Sequence, residues 1–180
     1  MMALLLVIGG VLLLFVFMVI ATYNSLVKLR NLVDSAWSGI TIQLKLRADL
    51  IPNLVATVKG YAAHEESVFS EIADARARMA GTTSPKELAN ANEELTGALG
   101  RLFAVAESYP DLKASTNFSD LQTELSDIEN KIQAARRGYN NGVTEYNTKL
   151  QIFPNNIIAS MFNFKEREFF GVSEEESKKI

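Results

Sequence analysis

The sequence predicts an all-α fold: an N-terminal transmembrane helix that continues into an antiparallel bundle of three long helices and one short helix. Three observations carry the prediction. The opening segment MMALLLVIGGVLLLFVFMVIA has no charge and no strongly polar side chain. Beyond it, apolar residues recur in steps of three and four, the spacing of a helix face. Only four prolines and ten glycines punctuate 180 residues, and the polar stretches are rich in good helix formers.

Composition narrows the chemistry. With 18 basic and 21 acidic groups the chain lacks the surplus of Lys and Arg that a phosphate-binding surface needs, so no nucleic-acid partner is expected. There is no cysteine, which removes disulfides, thiol nucleophiles and thiolate metal sites. A single histidine removes the motifs that need two. No cofactor is expected.

Residues 1–22 are read as the transmembrane helix. Met1 to Ala21 would span roughly 31 Å at 1.5 Å per residue, close to the ~30 Å hydrocarbon core. Val19 and Ala21 resemble a signal-peptide cleavage site, but the apolar run starts at residue 1 with no basic region before it and is longer than such peptides use. Lys28 and Arg30 follow the span and no basic residue precedes it. The positive-inside bias therefore predicts an N-terminus outside the membrane and a cytoplasmic domain after Tyr23.

The bundle is assigned to residues 23–172. Leu26, Leu29, Val33, Trp37, Ile40, Leu44, Ala48, Ile51, Val55, Val58 and Ala62 form one helical stripe, expected to run on to Ala80 before the loop Gly81-Thr-Thr-Ser. Leu32, Ile42, Leu46, Leu50 and Leu54 form a second row, so this helix should be covered on more than one side. Ser84, Pro85 and Glu87 supply an N-cap, a Pro at the first helical position and a capping-box carboxylate for the next helix, which Pro110 stops. Ser119 to Gln122 opens a third helix of roughly 35 residues, with near-heptad apolar spacing of coiled-coil type as far as Phe153 and Pro154 as its stop. Asn156 to Phe162 is expected to form the short helix, and residues 173–180 are a polar tail.

The stretch QLKLRADLIPNLVATVKGYAAHE, residues 43 to 65, resembles the hallmark of the LemA family, which follows an N-terminal membrane helix. Further matches come in the family's order: Glu107 with Tyr109-Pro110-Asp111-Leu112-Lys113, Ala135-Arg136-Arg137 with Tyr139-Asn140, Tyr146-Asn147, Phe153-Pro154 and Phe169-Phe170. Leu46 departs from the pattern, where the family often has a second basic residue. The resemblance implies a bacterial membrane-anchored helical bundle without an established enzymatic activity. It also implies a link of a related branch to magnetosome membranes, and a candidate membrane-protease partner of the HtpX type, near whose gene some members are encoded.

His64, Glu65 and Glu66 could form an acid and base set, but no nucleophile accompanies them, and a helix surface carries such residues anyway. Glu65, Glu66 and Asp74 lack the converging oxygens of a calcium loop. Pro52 removes the helical hydrogen bond to the carbonyl of Ala48, so a kinked but continuous helix is expected over residues 48 to 52, with Arg47, Asp49 and Asn53 placed to satisfy the freed backbone. Arg47, Asp49, Glu107, Glu129, Arg136 and Arg137 read as salt bridges that set helix register, or as a docking surface. Asn140, Asn141 and Asn147 are poor helix formers in a long helix and suggest hydrogen bonds across an interface, within one chain or between chains. Phe162, Phe164, Phe169 and Phe170 could pack on the bundle, dock on a neighbouring copy, or lie among lipid headgroups, a role that Glu166 and Glu168 disfavour. Together these features predict a scaffolding protein that contacts the lipid bilayer and self-associates as a homo-oligomer. Modulation of a membrane protease is the alternative, and an enzyme the weakest reading.

Overall fold

The computed structural model describes residues 1–171, so the polar tail expected over 173–180 lies outside the described residues. Its first helix, α1 (Met2–Lys59), leaves the apolar segment and enters the bundle without a break. At 1.5 Å per residue the rod is about 87 Å long. Among the described residues nothing buries its apolar N-terminal portion.

Here the expected continuation to Ala80 is corrected: α1 ends at Lys59, and a separate helix, α2 (Glu66–Gly81), follows a turn. Gly60 weakens the helix, and the amides of both Tyr61 and Ala62 bond back to the Val58 carbonyl, at 3.0 and 2.9 Å. The turn buries Ala62. The apolar stripe could not reveal this, because Val68, Phe69, Ile72, Ala75 and Met79 keep helical spacing while facing the core from a returning arm. α2 runs back along α1, with Lys59 over the Phe69 ring at 5.1 Å and Arg76 reaching Ala48.

The next helix, α3 (Pro85–Ala106), is antiparallel to α2, as the pairs Glu71–Arg101 and Arg78–Glu94 show. Its cap is half of the expected box: Ser84 Oγ accepts from the Glu87 amide, while the Glu87 carboxylate accepts from Thr82 Oγ1. A one-turn helix, α4 (Pro110–Lys113), leads into α5 (Thr116–Gln151), which starts three residues before the expected Ser119. Asn117 faces Thr57, Glu129 faces Arg47 and Gly142 faces Val33, so the numbers of each facing pair total 174 to 176 and α5 runs antiparallel to α1 in one register. After a cis Phe153–Pro154 bond comes α6 (Asn155–Met161). The four longer helices enclose a core of Leu44, Ile51, Leu54, Ile72, Leu95, Leu102 and Ile132.

The loop between α2 and α3 comes level with Trp37. Closer to the apolar segment, α1 and α5 continue as a two-helix stalk, closed along its groove by residues 164–169, which have no regular secondary structure. Asn163 sends the chain there. It is the left-handed residue (φ 56) of a Schellman ending to α6, with the Asn163 amide bonded to the Ser160 carbonyl and the Phe164 amide to that of Ala159.

Candidate functional site

Arg47 leaves α1 towards the place where α1, α3 and α5 meet. Its Nη1 donates to Asn92 Oδ1 at 2.6 Å and lies 2.8 Å from Glu129 Oε2, while Gln133 donates to the other Glu129 oxygen. The arginine is 4% exposed. Burial lowers the guanidinium's proton affinity below the ordinary value, and the Glu129 charge opposes that shift. Arg47 therefore bonds to α3 and α5, not to the backbone at Pro52. A cleft of about 260 Å³ beside this node is lined by Asn92, Glu129, Gln133 and Arg136.

α1 passes Pro52 without interruption, and the Ala48 carbonyl that Pro52 cannot serve accepts from Arg76 Nε at 3.1 Å. The compensating group thus comes from α2; Asp49 and Asn53 are exposed instead. Only the turn at Gly60 brings Arg76 there, so reading along one helix could not find it. His64 is exposed in that turn, and Glu65 accepts from the Tyr109 hydroxyl at 3.2 Å. Partial desolvation and then the Glu65 bond raise the Tyr109 phenol above its ordinary value. Among the described residues no group of three or more His, Asp or Glu side chains could hold a metal ion.

The densest polar constellation joins α5 to residues 164–171, here called the strap. Asn140 donates from Nδ2 to the Phe170 carbonyl and accepts the Phe170 amide at Oδ1, at 3.1 and 2.9 Å. Asn147 does the same to Arg167, at 2.9 Å in both bonds. Each asparagine side chain thus pairs with both backbone polar groups of one strap residue, as a neighbouring strand would. The spacing explains why this works: seven helical residues rise about 10.5 Å, and three extended residues cover about 10 Å. Between the two clamps the Tyr139 hydroxyl donates to the Glu168 carbonyl at 2.7 Å, and just beyond the Phe170 clamp Arg136 donates to the Gly171 carbonyl. Gly171 has φ +64, and a Cβ there would come within 3.2 Å of the Arg136 guanidinium carbon, so the site favours glycine.

Side chains of the strap then bind α1. Arg167 pairs with Asp34 at 2.7 Å, Phe170 packs on Trp37, and Phe164 lies against Tyr23 and beneath Arg30. Trp37 also contacts the Tyr139 ring. Burial pushes the Tyr139 phenol up to about 12; the Arg167 charge opposes the shift, and the Glu168 and Asp34 charges add to it. Of the residues singled out in the sequence, Asn140, Asn147, Arg136, Phe164, Phe169 and Phe170 gather around the strap, whereas Asn141 and Arg137 are exposed. Asp34, Trp37 and the clamping role of Tyr139 were missed. Trp37 and Tyr139 lie on apolar stripes shared with ordinary core packing, and Asp34 is one exposed acid among many.

A family model described as the LemA family matches residues 36–180. Protein LemA of Metamycoplasma hominis is 31% identical over 164 aligned residues, which cover 89% of this chain and 74% of that protein. Magnetosome protein MamQ 2 of Paramagnetospirillum magneticum is 28% identical, covering 87% of this chain and 67% of the relative. Magnetosome protein MamQ of Magnetospirillum gryphiswaldense is 26% identical with the same two coverages.

Proposed function

The chain belongs to the LemA family, and on that premise we propose that it is a membrane-anchored structural protein, acting through self-association and protein contacts at the bacterial cytoplasmic membrane. In this reading residues 1–22 cross the bilayer with the N-terminus outside, the bundle is cytoplasmic, and Pro52 is a joint that sets the angle between the membrane rod and the bundle. No catalytic step is assigned to His64 or its acidic neighbours.

One observation carries self-association. Leu32, Ile42 and Leu46 are 55, 56 and 47% exposed, and at 100° per residue they fall within an arc of about 80° on α1. Exposed apolar side chains sharing one face, on the same helix as the uncovered apolar segment, are the kind of surface that a second copy covers. Position 46 faces outward, so the basic residue common in the family would be solvated there, and leucine makes the stripe more apolar in this chain.

Native mass measurement of the detergent-extracted full chain is expected to show a homo-oligomer that Ile42→Glu with Leu46→Glu dissociates. A strictly monomeric particle would sink the proposal. If that particle is monomeric and turnover of a membrane protease's substrates changes when the chain is deleted, the adaptor reading replaces it.

A further inference from the structure

Five large apolar side chains stand uncovered at one end of the bundle: Ile152, Phe153, Ile157, Met161 and Phe162, from 49 to 76% exposed. They belong to the corner between α5 and α6. Ile157 and Met161 are four residues apart and share the outer face of α6, while Ile158 and Ala159 are buried on its inner face. A patch of this kind facing water would be an aggregation liability.

Two independent observations fix the level of the patch. The register of α5 against α1, carried on from Gly142 and Val33, brings Ile152 and Phe153 level with Thr22 and Tyr23, where the apolar segment ends. The Phe162 ring also lies 4.8 Å from that of Tyr23. Around this level the charge is mainly positive. Residues 22–33 and 146–165 hold Lys28, Arg30, Lys149 and Lys165 and not one Asp or Glu. The strap carries Glu168 away, where it accepts from Ser84 at the start of α3, while Glu166 stays beside the corner with its carboxylate bonded by Gln151.

We propose that the α5–α6 corner is a second membrane contact, with Ile152, Phe153, Ile157, Met161 and Phe162 sunk into the boundary between headgroups and acyl chains and the surrounding lysines at anionic lipid phosphates. The occupant is the surface of the bilayer that α1 crosses, and the contact rests on the anchor reading above. Apolar burial supplies the attachment and the basic rim adds attraction to anionic headgroups. The rod is then held at two points, its own span and this corner, which fixes the bundle's orientation over the membrane.

The absence of cysteine allows single nitroxide labels on the full chain in nanodiscs of phosphatidylcholine and phosphatidylglycerol. Labels at Phe153→Cys and Met161→Cys, both at exposed positions, are expected to show an oxygen-to-nickel-chelate accessibility ratio several-fold above that of Glu124→Cys near the far end of α5. Leu12→Cys reports the span itself. Ratios at 153 and 161 equal to that at 124 overturn the corner contact while leaving the anchor intact if residue 12 reads as lipid. Dipolar broadening between copies at 153 or 161, with low oxygen access, overturns it in favour of a second copy as occupant. A water-exposed label at residue 12 overturns the anchor reading and the corner contact with it.

Discussion

Among single residues, Arg47 and Tyr139 show how burial turns a polar side chain into a constraint. Arg47 is tied to Glu129 and Asn92, yet its Nε is buried without a hydrogen bond among the described residues. Removing one partner strands the other, so Arg47→Met should cost roughly 3 kcal/mol, and adding Glu129→Leu should recover most of that loss. Unfolding of the detergent-solubilised chain measures both; a double variant less stable than the single one would contradict the ion-pair account. Tyr139 makes a pH prediction. Its folded-state pKa of about 12 lies above the unfolded value of about 10. Its stabilising contribution is therefore complete below pH ~10 and is lost as pH rises towards 12, because the unfolded chain releases the proton first. Phenolate absorbance of the native protein should show a late step that Tyr139→Phe removes, and the alkaline loss of stability should shrink in that variant.

Among the helices and their connections, two features of chain geometry invite tests. Pro52 leaves the Ala48 carbonyl to Arg76, so Arg76→Ala should cost about 1 kcal/mol beside Pro52. The same change should cost far less in a Pro52→Ala background, where the helix supplies its own donor; equal losses would disconnect the two residues. The strap is held through its backbone by Asn140 and Asn147. A segment bonded in this way cannot enter a protease cleft without opening first. Asn140→Ala with Asn147→Ala should speed tryptic cleavage after Lys165 and Arg167 by at least tenfold, since roughly 1.4 kcal/mol of lost closing energy suffices for that factor. An unchanged cleavage rate would show that the remaining contacts, from Tyr139, Arg136, Asp34 and the aromatic rings, suffice to hold the strap. The long helices were legible because an apolar stripe of 3.6-residue period, sustained over many turns, matches a helix face and not a strand, and Pro110 and Pro154 marked stops. The turn at Gly60 was not legible, since an apolar stripe keeps its spacing whether the chain continues or doubles back. The asparagines were visible as anomalies, but their partners are backbone groups, which leave no trace in side-chain pattern.

Across the molecule as a whole, one register relates α1 to α5 from Thr57 to Val33. Thr57→Cys with Asn117→Cys should oxidise to an intramolecular disulfide in the otherwise cysteine-free chain, whereas Thr57→Cys with Glu124→Cys, two turns out of register, should not. Cross-linking of the second pair at a rate equal to the first would break the register argument. That register aligns the foot of the bundle with the end of the apolar segment and gives the α5–α6 corner its proposed contact with lipid. The helical class, the apolar N-terminal helix and the resemblance to the LemA family follow from the amino-acid sequence alone, because periodicity, segment length and ordered motifs are properties of the chain read in one direction. Packing in three dimensions was needed to show that Arg76 serves the Ala48 carbonyl that Pro52 leaves free, that Asn140 and Asn147 hold the chain's own strap, and that Phe162 stands against Tyr23. Those relations depend on which distant segments meet, and that is settled by how the helices pack.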